Sequence, residues 1–410
     1  MITTMNNNTN NEKDGEKDGE IDEYDNELFA FENWDDDKFA IKEQLLRGIF
    51  AYGFDNPSPI QKKSILPLIY DKDIIAQAQS GTGKTGAFTI GTLEIIDIEL
   101  KEPQSIIMAP TRELARQIYE VVTNIGQYLD INIQLLVGGT STDIDKDNYN
   151  SKIPQICVGC PGRIHDMIKR GSLKTDHIKS LILDEADEML SAGFKEQVYT
   201  IFQFLKNNVQ VGLFSATMPP ELFTLTEKFM REPIRILVKQ ESLTLQGIQQ
   251  YFINLENDQQ KFATLKDIFS RLSVTQCIIY CNSVKRVKDL YDAMMIDNYP
   301  VSRIHGEMTD TERRETFHKF KLGQYRVLIS SNVTCRGVDI QQVSIVINFD
   351  VPKDNVTYLH RIGRSGRWGR KGVAINFVTR RDYLKLKELE KYYNTSIVQL
   401  PDDFDSSIRV

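Results

Sequence analysis

Two motifs in the sequence contain the residue types needed to hydrolyse a nucleotide. The first is a glycine-rich loop made of Ser80, Gly81, Thr82, Gly83, Lys84 and Thr85. In such a loop the lysine reaches the β- and γ-phosphates, and the hydroxyl of Thr85 contacts Mg²⁺. The second is Asp184 and Glu185, which directly follow the apolar run 181–183. We assign Asp184 to Mg²⁺, largely through water, and Glu185 to orienting the attacking water.

Each motif has a simpler interpretation. The loop resembles the common phosphate-binding pattern except that Ala78 replaces its first glycine, and a chance glycine-rich turn is the alternative. The two acids could instead be ordinary acidic residues at the start of a helix, where they interact favourably with the helix dipole. A strand, a loop and a helix in the expected order favour the nucleotide site.

Further polar residues follow other apolar runs of the first half. Ser215 and Thr217 come after the run 211–214, and their hydroxyls could bond Asp187, although strand ends are often polar for other reasons. Gln61 precedes the loop, and its amide offers both a donor and an acceptor to an adenine edge. Taken alone, Gln61 would more often cap a helix, and the adenine role is favoured by context.

The second half lacks a phosphate loop but contains an arginine-rich segment at 360–367. A basic surface turn is the simpler interpretation. A second domain can, however, supply positive charge to a phosphoryl transition state, and Arg364 and Arg367 are our candidates for that role. Asp339 follows another strand-like run and could accept a hydrogen bond from a ribose hydroxyl.

Alternating apolar runs and amphipathic segments predict an α/β fold. In the first half the runs are 74–76, 105–108, 180–183 and 211–214, with helices predicted over 112–125 and 194–205. In the second half they are 276–280, 301–305, 325–330, 344–349 and 373–378, with a helix over 311–320. This pattern is typical of parallel sheets with helices on both faces, in which ligands bind beyond the strand ends.

Composition and charge limit the other possibilities. A chain of 410 residues exceeds what one core usually supports, which predicts two domains. The formal net charge is −7, but segment 12–38 contains thirteen acidic residues and three lysines, so the remainder is mildly basic. That acidic segment favours disorder.

The C-x-x-C pair 157/160 and the pair 277/281 lack histidines at ligand spacing and are interpreted as buried thiols. No apolar run is long enough for a membrane span, and an intracellular location is expected.

Taken in order, the motifs resemble those of the DEAD-box RNA helicases over nearly the whole chain past the acidic segment. They are the segment at 57–61, the phosphate loop, Pro110 to Ala115, Gly138-Gly139, Pro161-Gly162-Arg163, Asp-Glu-Ala-Asp at 184–187, Ser-Ala-Thr at 215–217 and the arginine block. Within that family the segments 52–54, 187–190, 193–197, 236–239 and 369–378 are most similar to translation initiation factor 4A and its exon-junction relative.

The resemblance implies two RecA-like domains that close over ATP and single-stranded RNA. We expect a tail at 1–38, an ATP-binding domain at 39–238, a linker at 239–248 and a C-terminal domain at 249–410. The implied cofactors are ATP and Mg²⁺, and the implied substrates are single-stranded RNA and short RNA duplexes. The likeness places RNA contacts at Arg112, Gly139, Arg163, Arg313 and Ser331, and interdomain coupling at Asp187, Ser215, Thr217 and His360.

The family also has an aromatic residue that stacks near adenine, and here Trp34 is the first choice and Phe31 the second. Cys160, Asp310, Asn332 and Cys335 depart from the family pattern at positions near RNA or between domains. An ATP-dependent RNA helicase is therefore expected, acting as a monomer, without a membrane and with a possible scaffold partner, in translation initiation or related RNA metabolism. The cytoplasm is favoured over the nucleus. An ATP-gated RNA clamp that serves as an assembly platform is the alternative, and a DNA helicase is a weaker third.

Overall fold

The structure is a computed structural model. It describes residues 31–36, 38–78, 81–139, 141–191, 193–218, 220–236, 248–271, 276–334, 343–365 and 372–404. The predicted linker therefore lies outside the described residues except for Ile248. None of the helices in these ranges combines the length and apolar character needed to cross a membrane.

The first domain is built on a seven-stranded parallel sheet with the strand order β3-β4-β2-β5-β6-β1-β7. Its strands are β1 (Ile74–Gln77), β2 (Ser105–Met108), β3 (Ile133–Leu136), β4 (Ile156–Gly159), β5 (Ser180–Asp184), β6 (Gln210–Ser215) and β7 (Ile234–Ile236). Its helices are α1 (Glu43–Ala51), α2 (Pro59–Ile69), α3 (Lys84–Ile95), α4 (Arg112–Ile125), α5 (Thr142–Ser151), α6 (Pro161–Lys169), α7 (Ala186–Ser191), α8 (Lys195–Phe204) and α9 (Pro220–Phe229).

The second domain repeats this plan with a parallel sheet of order β10-β11-β9-β12-β13-β8-β14. Its strands are β8 (Ile248–Leu255), β9 (Cys277–Tyr280), β10 (Val301–Ile304), β11 (Val327–Ser330), β12 (Ile345–Asn348), β13 (Gly372–Thr379) and β14 (Val398–Gln399). Its helices are α10 (Gln260–Arg271), α11 (Val284–Ile296), α12 (Asp310–Lys321), α13 (Asn355–Ile362) and α14 (Tyr383–Tyr393). The predicted α/β fold with two RecA-like domains is confirmed.

Both faces of each sheet are covered, which explains the continuous apolar runs in the central strands. Successive residues of β1 point to opposite faces, so that Ile74 and Ile75 belong to different hydrophobic clusters of the first domain. Helix α4 shows how a covering helix is specified. The Thr111 hydroxyl caps its start by accepting from the Leu114 N–H at 3.3 Å, and its apolar residues recur at helical spacing toward the sheet.

The last residues of the acidic segment 12–38 pack against the first domain, although the sequence predicted a solvated tail. We expected a solvated tail up to residue 38, but Phe31 and Trp34 are only 1% and 2% exposed. Phe31 stacks on Phe39 with ring centroids 4.3 Å apart, and both rings belong to a hydrophobic cluster of the first domain. Burial of these large rings explains why a segment with this charge is packed from residue 31 onward.

Four of the cysteines are described, and all four are free and buried. Burial raises the pKa of the Cys157 and Cys160 thiols to about 12, which keeps both neutral at physiological pH. The interpretation of these residues as ordinary buried thiols agrees with that environment.

Replacing Phe31 tests whether the aromatic end of the acidic segment stabilises the first domain. We expect Phe31→Ala to lower its free energy of unfolding by about 3 to 5 kcal/mol, because a fully buried ring is removed. Urea titration followed by tryptophan fluorescence measures the change. Asn33→Ala, at an exposed position in the same segment, is the matched control. Equal stability of the two variants would contradict the packing described here.

Candidate active site between the two domains

The phosphate loop joins β1 to α3 and presents an anion-binding helix start. Gly81 and Gly83 have φ values of 86° and 103°, which side chains other than glycine rarely adopt. Gly83 precedes the first residue of α3 and offers no side-chain cap, so backbone N–H groups of the first turn are available to phosphate oxygens. Ser80, predicted to belong to the same loop, lies outside the described residues.

Lys84 is poised for a ligand oxygen. Its ammonium group is buried and has no hydrogen-bond acceptor among the described residues. The Glu185 carboxylate is an opposite charge nearby, and its Oε1 lies 3.9 Å from Lys84 Nζ. A buried cation without an acceptor is costly, and a phosphate group would remove that cost. This environment fits the predicted contact with the β- and γ-phosphates.

Gln61 supports the loop in this structure. Its Oε1 accepts from the Ser58 N–H at 2.7 Å, which forms a capping box at the start of α2. Its Nε2 donates to the Gly83 carbonyl at 3.2 Å. The capping role that was the simpler interpretation is therefore present, and the adenine contact stays a prediction that requires Gln61 to exchange partners.

Trp34 and Phe31, the two candidates for stacking on adenine, lie in the aromatic cluster with Phe39. The Trp34 ring centroid is 5.7 Å from that of Phe31 and 5.3 Å from that of Phe39. Since neither Trp34 nor Phe31 exposes a ring face, stacking by either would require the cluster to open. The stacking role stays a prediction.

The acidic motif begins at the end of β5 and holds two carboxylates in a buried position. The Glu185 N–H donates to Asp184 Oδ1 at 3.0 Å, and Glu185 has a φ of 51°, an unusual value for a residue with a side chain. Burial and the neighbouring Glu185 raise the pKa of Asp184 to about 7. Asp184 and Glu185 are buried and Thr85 is half-buried, and their carboxylate and hydroxyl oxygens are the type of ligand that Mg²⁺ prefers.

The second domain reaches this site through His360 on α13. His360 Nε2 lies 3.3 Å from Asp187 Oδ2, and His360 Nδ1 lies 4.0 Å from Glu185 Oε2. The Thr217 hydroxyl donates to the same Asp187 oxygen at 2.5 Å. Of the predicted coupling residues, Asp187, Thr217 and His360 thus form one buried cluster across the domain boundary. Ser215 is linked to this cluster through Thr217, because its hydroxyl accepts from the Thr217 N–H at 3.3 Å.

Arg364 follows α13 and is buried, with its Nε donating to the His360 carbonyl at 3.3 Å. It is therefore tied to the residue that contacts the acidic motif. Arg367 and Asp339, the other candidates of the second domain, lie outside the described residues. Their roles stay predictions.

Arg361 is a functional candidate that the sequence did not single out within the arginine block. It is fully buried, and its Nε and Nη2 donate to Asn332 Oδ1 at 3.0 and 2.7 Å. The same guanidinium reaches Asn348 Oδ1 at 3.2 Å and Asn282 Oδ1 at 2.7 Å. Asn332, one of the departures from the family pattern, therefore helps to hold the first turn of the arginine block in place.

The predicted RNA contacts of the first domain follow strands in one half of the sheet, and the phosphate loop follows β1 in the other half. Arg112, Gly139 and Arg163 follow β2, β3 and β4, which are neighbours in the sheet. Gly139 has a φ of 97°, and a Cβ atom there would lie 2.5 Å from Arg112 Nη1. Arg112 and Gly139 are thus brought together, whereas the Arg163 guanidinium is paired with Asp145.

In the second domain, Ser331 directly follows β11 and Arg313 lies on α12. Arg313 is only 5% exposed and its Nη2 donates to Glu113 Oε2 at 2.6 Å, across the domain boundary. Its guanidinium is therefore an interdomain contact in this structure. Contact of Arg313, Arg163 or Ser331 with RNA stays a prediction.

A second ion pair beside Arg313 was not anticipated from the sequence. Arg116 on α4 and Asp310 on α12 form two hydrogen bonds, Nη1 to Oδ1 at 3.1 Å and Nη2 to Oδ2 at 2.7 Å. The sequence showed only that Asp310 departs from the family pattern. Its partner lies in the other domain, and no local signal could identify it.

Comparison with known proteins identifies the family of this chain. The DEAD/DEAH box helicase family matches residues 58–225, and the helicase conserved C-terminal domain matches residues 260–369. The ATP-dependent RNA helicase eIF4A of Kluyveromyces lactis is 50% identical over 378 residues, which are 92% of this chain and 94% of that protein.

Two solved structures of Dbp5 from Saccharomyces cerevisiae are also similar. Dbp5 bound to RNA and ADP BeF3 gives a TM-score of 0.83 at 35% identity, covering 90% of this chain and 97% of that chain. A Dbp5 variant bound to Nup159, Gle1, IP6 and ADP gives 0.60 at 34% identity, covering 89% and 96%. The domain arrangement is thus closer to that of the RNA-bound protein. The family matches, the relatives and the geometry together show that the chain belongs to the DEAD/DEAH box helicase family.

Proposed function

We propose that this ATP-dependent RNA helicase locally separates short RNA duplexes by closing its two domains over ATP and one RNA strand. The observation that carries the proposal is the buried cluster in which His360 of the second domain meets Asp187 and Glu185 of the first. Through this contact, assembly of the hydrolytic site depends on how the domains are arranged. The same arrangement brings α12 against α4, next to the predicted RNA contacts.

Lys84 and the first turn of α3 bind the phosphates of ATP. Glu185, buried 3.9 Å from the Lys84 ammonium, orients the attacking water, and burial of the site excludes other water. Thr85 and Asp184 would hold Mg²⁺, which neutralises charge on the phosphate oxygens when it is bound. Arg364, and Arg367 by sequence, supply positive charge from the second domain to the transition state.

RNA crosses both domains along the ends of β2, β3 and β4 and of β10 and β11. Contacts of arginine and backbone N–H groups with phosphates and 2′-hydroxyls would make binding largely independent of sequence. Closure bends one strand and displaces the other. Because ATP and RNA both favour the closed form, their binding is coupled in both directions.

The relatives named eIF4A, which span most of this chain at about half identity, support a proposal for the cellular role. We place the protein in translation initiation, in the cytoplasm, as a monomer whose activity a scaffold protein could stimulate. The alternative of an ATP-gated clamp rests on the substitutions at Cys160 and Asn332. It is not favoured, because the relatives that span most of this chain are named as ATP-dependent RNA helicases.

Steady-state ATP hydrolysis with and without single-stranded RNA tests the proposal. We expect strong stimulation by RNA, weak stimulation by DNA of the same sequence, and ATP-dependent separation of a short RNA duplex. Lys84→Ala should abolish both activities, because its ammonium is the buried phosphate contact. Wild-type activity at the level of this variant, with RNA and Mg-ATP present, would show that the proposal is wrong.

Glu185→Gln separates binding from chemistry. We expect at least about 100-fold slower hydrolysis with ATP and RNA binding retained, because the amide keeps the shape of the side chain but not its basicity. Single-turnover hydrolysis and RNA affinity measure the two effects. Glu196→Gln, which removes an exposed acid on α8, is the control and should behave as wild type. A fully active Glu185→Gln would exclude the water-orienting role.

The raised pKa of Asp184 predicts pH-dependent nucleotide binding. Below its pKa of about 7 the carboxyl is protonated, and Mg²⁺ must displace that proton. Affinity for Mg-ATP should therefore fall as the pH is lowered from 8 to 6, by up to about tenfold per pH unit. Titration calorimetry measures this, and Asp184→Asn reports the titration of ATP itself. Parallel pH profiles for both proteins would contradict the assignment.

A further inference from the structure

Helices α4 and α12 face each other across the domain boundary with matched charges. On α4 the acid Glu113 is followed three residues later by Arg116, and on α12 the acid Asp310 is followed three residues later by Arg313. Residues at this spacing lie on one face of a helix. The pairs form crosswise, Glu113 with Arg313 and Arg116 with Asp310, so that each helix supplies one acid and one base.

The Arg116–Asp310 pair has the geometry of a strong contact. Both guanidinium nitrogens donate to separate carboxylate oxygens, the arrangement in which arginine binds a carboxylate best. The side chains are 21% and 15% exposed, which shields the pair partly from solvent. Exposed single contacts contribute little, but bidentate and partly buried pairs are the exception. Arg116 belongs to the first domain and Asp310 to the second. The ion pair therefore forms only when the two domains are in contact.

The position of Asp310 gives the pair a second consequence. A Cβ atom on Gly139 would lie 3.4 Å from Asp310 Cβ and 2.5 Å from Arg112 Nη1. Asp310 is thus an acid beside residues predicted to contact RNA phosphates. Arg116 neutralises that acid, and removal of Arg116 alone would leave its negative charge facing the RNA path.

We propose that Arg116 and Asp310 form an electrostatic clasp that stabilises the closed arrangement of the two domains without RNA. Arg116 and Asp310 are positioning residues: they act on hydrolysis through the contact of His360 with the acidic motif. The inference rests on the proposed function, since it concerns the closure that assembles the ATP site. It implies that the chain hydrolyses ATP in the absence of RNA at a rate set partly by this ion pair.

RNA-independent hydrolysis and its salt dependence test the clasp, using the full chain. Arg116→Gln and Asp310→Asn should each lower kcat/KM for ATP without RNA about three- to tenfold, the effect of one good ion pair on a two-state equilibrium. Raising salt from about 0.05 to 0.5 M should lower the wild-type value toward that of the variants, which should change little, because salt screens the pair. Saturating RNA should restore most of the activity of Asp310→Asn.

Exchanging the charges of Arg116 and Asp310 tests whether the effect comes from their ion pair. The double variant Arg116→Asp with Asp310→Arg should recover most of the RNA-independent activity, whereas Arg116→Asp alone should not. Arg116→Gln should also weaken RNA binding more than Asp310→Asn does, because it leaves the acid uncompensated. Arg170→Gln, which breaks a pair with Asp166 inside the first domain, is the matched control.

Three results would overturn the clasp: single variants with wild-type RNA-independent activity, an exchange variant as inactive as Arg116→Asp, or a drop in thermal stability that accounts for the loss. A wild type with RNA-stimulated hydrolysis and any of these results leaves the proposed function in place. A wild type without any hydrolysis contradicts the proposed function itself.

Discussion

The contact between His360 and Asp187 is the interaction on which the rest of the active site depends. It is 3.3 Å long, buried, and shared with the Thr217 hydroxyl, which bonds the same carboxylate oxygen. Asp187 is two residues from Glu185, whose own carboxylate lies 4.0 Å from His360. A change in the position of the second domain therefore alters the surroundings of Asp187 and Glu185 directly. No long chain of intermediate residues is required for this coupling.

The strand order explains how one domain can carry both candidate sites. Strands β5, β6 and β1 are neighbours, and their ends carry the acidic motif, Ser215 to Thr217 and the phosphate loop. Strands β3, β4 and β2 form the other half of the sheet, and their ends carry the predicted RNA contacts. Ligands of parallel sheets bind beyond the carboxyl ends of the strands, so both sites lie on the side of the sheet where the strands end. A second domain that packs against this side of the sheet contacts both sites at once.

Much of this arrangement could be predicted from the sequence, because it depends on local patterns. The apolar runs of β1, β2, β5 and β6 are fully buried, and the helix predicted over 112–125 has those bounds in the structure. Other strands were not identified. β3 is a half-exposed edge strand with Gln134 in its centre, and β8 mixes polar with apolar residues. Such strands do not form the continuous apolar run typical of a central strand.

The Thr217–Asp187 hydrogen bond was anticipated from the sequence, but most other side-chain partners were not. The Gln61 amide offers the donor and the acceptor that an adenine contact needs, yet both groups already bond the backbone of Ser58 and Gly83. Arg163 and Arg313 were expected at RNA because of their motifs, but ion pairs with Asp145 and Glu113 bury both guanidinium groups. Glu113 and Arg313 are separated by 200 positions in the chain. Pairings over such separations follow from the domain arrangement, which local residue patterns do not encode.

The two ends of the domain boundary are stabilised by different kinds of interaction, and this difference has a consequence for regulation. At the ATP end, His360, Asp187 and Thr217 make short contacts that are buried to 7% exposure or less, where salt has little access. At the α4–α12 end, the contacts are ion pairs, and Arg116 and Asp310 remain partly exposed to solvent. Screening by salt acts mainly on the second end. The domain boundary therefore combines a buried component at the candidate ATP site, which resists changes in ionic strength, with an electrostatic component beside the predicted RNA contacts, which responds to them.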